Sequence, residues 1–189
     1  MSDAYEQVEV TAAAELRRWL EANHAKSPGI WLVSYKKAAG EKYLAYEDIV
    51  CEALCWGWID SKARSLDDLR SQLLLTPRKP ASKWSRPNKI RVAELEASGR
   101  MAPPGRAMVE LAKASGTWSA LDDVENLIEP AELKTALDAR PAARRNWDAF
   151  PRSTRRATLE WIAAAKRPVT REKRIGETVD LATQNLRRT

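Results

Sequence analysis

The chain is poor in the side chains that carry most enzyme chemistry. Its 189 residues hold one histidine, His24, and two cysteines, Cys51 and Cys55. A Ser-His-Asp triad would have to run through His24, which stands near the end of a helical pattern, where a solvated histidine facing the helix C-terminus is ordinary. Cys51 and Cys55 lie four apart on one helical face, a poor geometry for a disulfide, and no further ligands accompany them to complete a metal site. Neither has a visible base beside it, so buried free thiols are expected, which suits a reducing compartment. The seven glycines form neither a phosphate-binding loop nor a dinucleotide fingerprint. No apolar run is long enough to span a bilayer, and the opening MSDAYEQVEV lacks the basic-then-apolar order of a secretory signal. These absences lead to a cytoplasmic protein with no catalytic residue to name, no metal and no cofactor, leaning away from an enzyme.

Aromatic usage is lopsided, with eight Trp against one Phe. Tryptophan joins a large apolar face to an N–H donor, so several should lie at packed boundaries or at a pocket wall. Charge is lopsided too. The net charge is +6, yet residues 140–189 hold 13 Lys and Arg against 5 Asp and Glu, while the first 139 hold 19 against 21. Such asymmetry raises the case for an anionic partner of the C-terminal part. The acids there are interspersed, which instead fits helices carrying Arg on solvated faces.

The order of elements reads β-α-β-α-β-β and then helices. YEQVEV alternates as a strand, and Thr11 is placed to cap a helix with a Leu16, Trp19, Leu20 stripe. IWLVSYKK is apolar on both faces and should be central in its sheet. A helix from Tyr46 closes at Gly57; WIDSKARS and RSQLLLT form a hairpin across LDDL. Further helices carry Ile90, Ala93 and Leu95 inward, then PPGRAMVELAKASG. Beyond Trp118 every segment is helical in pattern, with Ser153 and Thr170 as expected caps and Ile175, Val179, Ala182 and Leu186 as the last apolar stripe. The fold class is α+β: a small sheet with packed helices over residues 1–117, followed by an all-helical module over 118–189.

The stretch TPRKPASKWSRPN and its continuation concentrate charge. From Arg78 to Arg91 there are six cations and no acid. Prolines limit the freedom of this loop, and Trp84 is too large an apolar surface to leave in water without reason. Ser85 is placed to cap the next helix, leaving backbone N–H groups beside Arg and Lys, a combination that favours a carboxylate or phosphate. The hairpin brings the upstream segment LCWGWIDSKARS alongside, so that Asp60 is expected to face Arg78. The candidate ligand-binding residues are Trp56, Asp60, Arg78, Ser82, Trp84, Ser85 and Asn88.

Three blocks, ALCWGWIDSKARSLDD, LTPRKPASKWSRPNKIRVAELEASGRMAPPG and RSTRRATLEWIAAAKRPVTREKRIGETV, resemble the bacterial YdeI/OmpD-associated family, also labelled bacteriocin-protection proteins. The resemblance runs from about Trp31 to Leu186, and residues 118–189 resemble that family's C-terminal helical module. Pro151 departs from the family's pattern at the start of one helix. The resemblance implies an accessory or binding protein linked to tolerance of antibacterial peptides, with no catalytic residues to carry over. The leading reading is thus a cytoplasmic binding protein for a small anionic or peptide ligand, without membrane insertion and of open oligomeric state. The alternatives are an enzyme using Asp60 as general acid or base, and a weak, nonspecific nucleic-acid binder resting on the pI of about 9.4.

Overall fold

In a computed structural model that describes residues 5–188, the chain forms two compact units, residues 1–119 and 120–189. The first unit is α+β. Its strands are β1 (Glu6–Glu9), β2 (Ile30–Tyr35), β3 (Trp58–Ser65) and β4 (Arg70–Pro77), in sheet order β1-β2-β4-β3. β1 runs parallel to β2, and β2 and β3 are antiparallel to β4. The parallel pair requires a crossover, supplied by α1 (Ala13–Asn23). Its N-terminus is held by the Glu15 carboxylate, which accepts the Thr11 N–H at 2.7 Å. Leu16 and Leu20 of α1 are fully buried, and Trp19 packs against the same core.

The helix α2 (Tyr46–Cys55) is the hub of this unit. Ile49 and Ala53 face the sheet, joining Ile30, Leu32, Leu73, Leu75 and Trp58. Val50 and Leu54 face the opposite way, joining Val92 and Leu95 of α3 (Arg86–Ala97) and Val109 and Ala112 of α4 (Pro103–Ala114). Each such side chain contributes about 1.5–3 kcal/mol by leaving water. A third side of α2 carries Glu52, whose buried carboxylate joins Arg17 at 3.0 Å and Arg100 at 2.6 Å. The helix ends at Gly57, whose φ of 73° turns the chain into β3.

The second unit is helical throughout its described residues: α5 (Asp122–Glu125), α6 (Ala131–Asp138), α7 (Pro141–Ala149), α8 (Arg152–Ala163) and α9 (Pro168–Thr183). Leu133, Leu137, Trp147, Leu159, Ile162, Ile175 and Val179 form its core. Its arginines are largely spent internally. Arg144 chelates Glu129 and also reaches Asp148, Arg156 joins Glu125 and Glu160, and Arg140 joins Asp180. Much of the C-terminal positive charge therefore builds the unit.

Several local expectations are corrected. Thr11 does not cap α1, whose N-cap position is Ala12; nor do Ser153 and Thr170 cap, since Pro151 and Arg167 hold the N-cap positions of α8 and α9 and both residues lie inside the first turn. On α3, Ile90 and Ala93 are exposed while Val92 and Leu95 point inward. Leu186 lies past α9 and is exposed. Cys55 is buried but Cys51 only half-buried, and both are free thiols. Burial, then the nearby Glu47 carboxylate, pushes the Cys51 thiol up to about 11, leaving it a poor nucleophile.

Candidate functional site

The loop between β4 and α3 is held in shape by its own residues. The backbone N–H of Arg78 donates to the Gly57 carbonyl at 2.9 Å, tying the loop to the end of α2. The Arg78 guanidinium lies over the Trp84 ring, 3.8 Å from its centroid, and donates to the Lys83 carbonyl. Trp84 is 1% exposed and its ring meets that of Trp118 at 5.0 Å. The ammonium groups of Lys89 and Lys113 sit 5.5 and 5.8 Å from the Trp118 ring. The result is a pair of indoles tilted at 47°, with a guanidinium on one ring and two ammonium groups beside the other.

Arg78 is 5% exposed, and among the described residues no carboxylate pairs with it. Its Nε is buried without a hydrogen-bond partner. Burial alone pushes the guanidinium down to about 10, a measure of how poorly the site solvates the charge. Lys79 and Lys83 flank it on the exposed side of the loop, also without an acid partner among the described residues. Arg91, by contrast, is engaged, reaching both Glu47 oxygens at 2.6 and 2.7 Å.

The expected Asp60–Arg78 pair does not form. Register places Asp60 opposite Leu75, three residues short of Arg78, or roughly 10 Å along the strand. Asp60 instead accepts the Tyr46 hydroxyl at 2.7 Å. Ser85 occupies the N-cap position of α3, but its side chain makes no capping bond. The Asn88 side-chain oxygen accepts from Arg91 at 2.7 Å. The Ser82 N–H closes a turn on the Lys79 carbonyl. Trp56 is half-buried against both cores of this unit, with its ring 4.8 Å from that of His24. The structure thus gathers Arg78, Ser82, Trp84 and Ser85 in one loop, with Trp56 packed on the cluster that holds Trp84, and leaves Asp60 elsewhere. Trp118, packed against the cluster that holds Trp84, completes the group unforeseen; its signal was a tryptophan just beyond the helix stop at Gly116.

A four-stranded α+β unit with a basic, aromatic-backed loop, followed by a helical unit, defines the class of protein. Family models divide the chain in the same sense. Residues 8–108 match the model described as Domain of unknown function (DUF8412), and the chain belongs to that family. Residues 126–185 match the model described as Bacteriocin-protection, YdeI or OmpD-Associated. The YdeI/OmpD-associated resemblance therefore holds on the C-terminal module rather than from Trp31 onward. No curated protein and no solved structure matches the chain. Among the described residues, no helix is long and apolar enough to cross a membrane.

Proposed function

We propose that the chain is a non-enzymatic accessory or binding protein of the YdeI/OmpD-associated type, and that the loop Arg78–Pro87 takes a small anionic ligand or an acidic peptide segment. The observation that carries this reading is the buried Arg78 guanidinium with no carboxylate partner. A charge held in low dielectric without a counter-ion costs stability, and a methionine of similar length would pack on Trp84 without that cost. The charge is accounted for if it works on something outside the protein. Its field reinforces Lys79 and Lys83 at the surface, where an anion would be held by ammonium groups and loop N–H donors. Two free thiols fit a cytoplasmic setting, and the bacteriocin-protection description of the C-terminal match supports a link to tolerance of antibacterial peptides.

Arg78→Met separates charge from packing. Its melting temperature should equal or exceed that of the wild type, because an unpaired buried charge is removed and the apolar stem kept. Binding to a panel of di- and tricarboxylates, inorganic phosphate and an oligoglutamate peptide, followed by calorimetry, should weaken for this variant and for Lys83→Ala. A destabilised Arg78→Met variant with undiminished binding would show the guanidinium to be a structural staple. A second measurement addresses nucleic acid. Duplex and single-stranded DNA should bind weakly, without sequence preference, and be released by about 0.2 M salt through counterion competition. Sequence-selective binding that persists at that salt would displace the anion reading.

A further inference from the structure

The face of the sheet that packs on α1 and α2 runs on past the helices' cover. Ile30 and Leu32 lie in that core, and strand alternation puts Ser34 and Lys36 on the same face. Ser71 of β4 stands opposite Ser34, and Ser65 of β3 opposite Ser71, so three serines lie abreast. Over them opens a cavity of about 250 Å³, floored by Ser34, Ser71 and Leu73. Leu44, Ile49, Tyr43 and Tyr46 wall it, and Lys36 stands at its rim.

We propose that this cleft binds a small carboxylic acid with an apolar body. The walls are rings and aliphatic chains, which fit hydrocarbon. Ser34 is 5% exposed, and neither its hydroxyl nor that of Ser71 hydrogen-bonds to another described residue. Ser71 is half-buried, and two such hydroxyls opening side by side onto the cleft supply donors for one carboxylate. The Lys36 ammonium is steered by Ser65 Oγ at 2.9 Å and by the Asp67 carbonyl, which leaves a donor over and no carboxylate paired with it. Lys37 and Lys42 sit over the Tyr43 and Tyr35 rings, at 5.9 and 5.3 Å, and make the mouth positive. Three nearby acids are occupied, Asp67 by Arg70 at 2.7 Å, Asp60 by Tyr46 and Glu9 by Tyr35 and Arg70. A cationic ligand would meet lysine at the rim; an anionic one is drawn in. The cleft shares no residue with the Arg78–Pro87 loop, and the two sites stand or fall separately.

The test uses the full ¹⁵N-labelled chain titrated with 3-phenylpropionate, 3-phenylpropan-1-ol and 3-phenylpropylamine, three probes with one body and different heads. The carboxylate should bind about tenfold more tightly than the alcohol, the worth of one charge-assisted contact, and the amine least well. Amide shifts should centre on residues 34–36, 43–46 and 71–73. Lys36→Met should erase the preference for carboxylate over alcohol, and Ser71→Ala should reduce it. Ala63→Phe, which introduces a ring from an exposed position lining the cleft, should abolish binding of all three while the rest of the spectrum stays native. Equal affinity for the three heads, shifts centred elsewhere, no binding at millimolar probe, or a Lys36→Met variant that keeps the carboxylate preference would each overturn the proposal.

Discussion

Gly105→Ala should unfold the first unit at markedly lower temperature, by about 10 °C or more. A Cβ built at Gly105 lies 2.3 Å from the Cys55 carbonyl oxygen, 2.7 Å from its carbon and 2.8 Å from the Leu54 oxygen. All three are backbone atoms at the end of α2, so no side chain can swing aside. The same Cys55 oxygen accepts the Ala102 N–H at 3.1 Å, which pins the start of α4 against α2. Relief requires α4 to move off, opening the cluster of Val50, Leu54, Trp84, Val92 and Val109. Overpacking of this kind costs about 3 kcal/mol or more, which gives the shift stated for a domain of this size. Gly176 provides the control. It lies within α9, and an added Cβ there meets nothing within 4 Å. Gly176→Ala should therefore stabilise the second unit by about 0.5–1 kcal/mol. Differential scanning calorimetry of both variants checks the pair, and a Gly105→Ala melt within 2 °C of the wild type would refute the close approach.

Glu129→Ala should be a strongly damaging polar change in the helical unit. The carboxylate accepts two bonds from Arg144, at 2.8 and 2.6 Å, and one from Trp147 Nε1 at 2.7 Å. Trp147 is 1% exposed, so removing its acceptor strands a buried N–H donor. Arg144 loses its best partner at the same time, keeping Asp148 at 2.5 Å and Asp138 at 3.5 Å. The combined loss is about 3 kcal/mol, and amide exchange over residues 129–150 should accelerate accordingly. Glu129→Gln retains an oxygen for Trp147 and should cost less. The Arg144 guanidinium, helped by the Trp147 N–H, holds the Glu129 carboxyl below its usual range. A carboxyl lowered on folding contributes stability that is complete above the unfolded-chain value and is lost as pH falls through the lowered one. The wild type should therefore lose stability below about pH 4.3 more steeply than Glu129→Gln. Parallel acid profiles would assign that slope elsewhere.

Where a strong period met an unambiguous stop, sequence and structure agree. Apolar residues on both faces of IWLVSYKK, Trp31, Val33 and Tyr35 on one and Ile30 and Leu32 on the other, require a strand buried on both sides, and β2 lies between β1 and β4. Leu16 and Leu20, and Ile175 and Val179, fall one turn apart and are buried. Where apolar residues surround a helix, periodicity could not choose a face; Ile90, Val92, Ala93 and Leu95 leave two faces open on α3, and packing against α2 selected Val92 and Leu95. The mistaken caps at Ser153 and Thr170 share one cause. Pro151 and Pro168 fix φ near the helix start and need no side-chain acceptor, so the helices begin before Ser153 and Thr170. The candidate loop was legible as charge, proline and tryptophan. The Asp60–Arg78 pairing was not, because it depended on strand register, and Trp58 opposite Pro77 sets Asp60 too far along. The tyrosine-walled cleft left no sequence signal, since Tyr35, Tyr43 and Tyr46 belong to three different local structures.

β3 is an outer strand of the sheet, and the register of its pairing with β4 shifts between Asp60 and Ala63. An outer strand presents a row of backbone donors and acceptors to any extended chain that meets it. Here the irregularity breaks the even spacing such a chain would need, and the exposed Lys62 puts a charge on the same stretch. The same strand that gives Asp60 to Tyr46 is thereby a poor template for sheet growth along its edge.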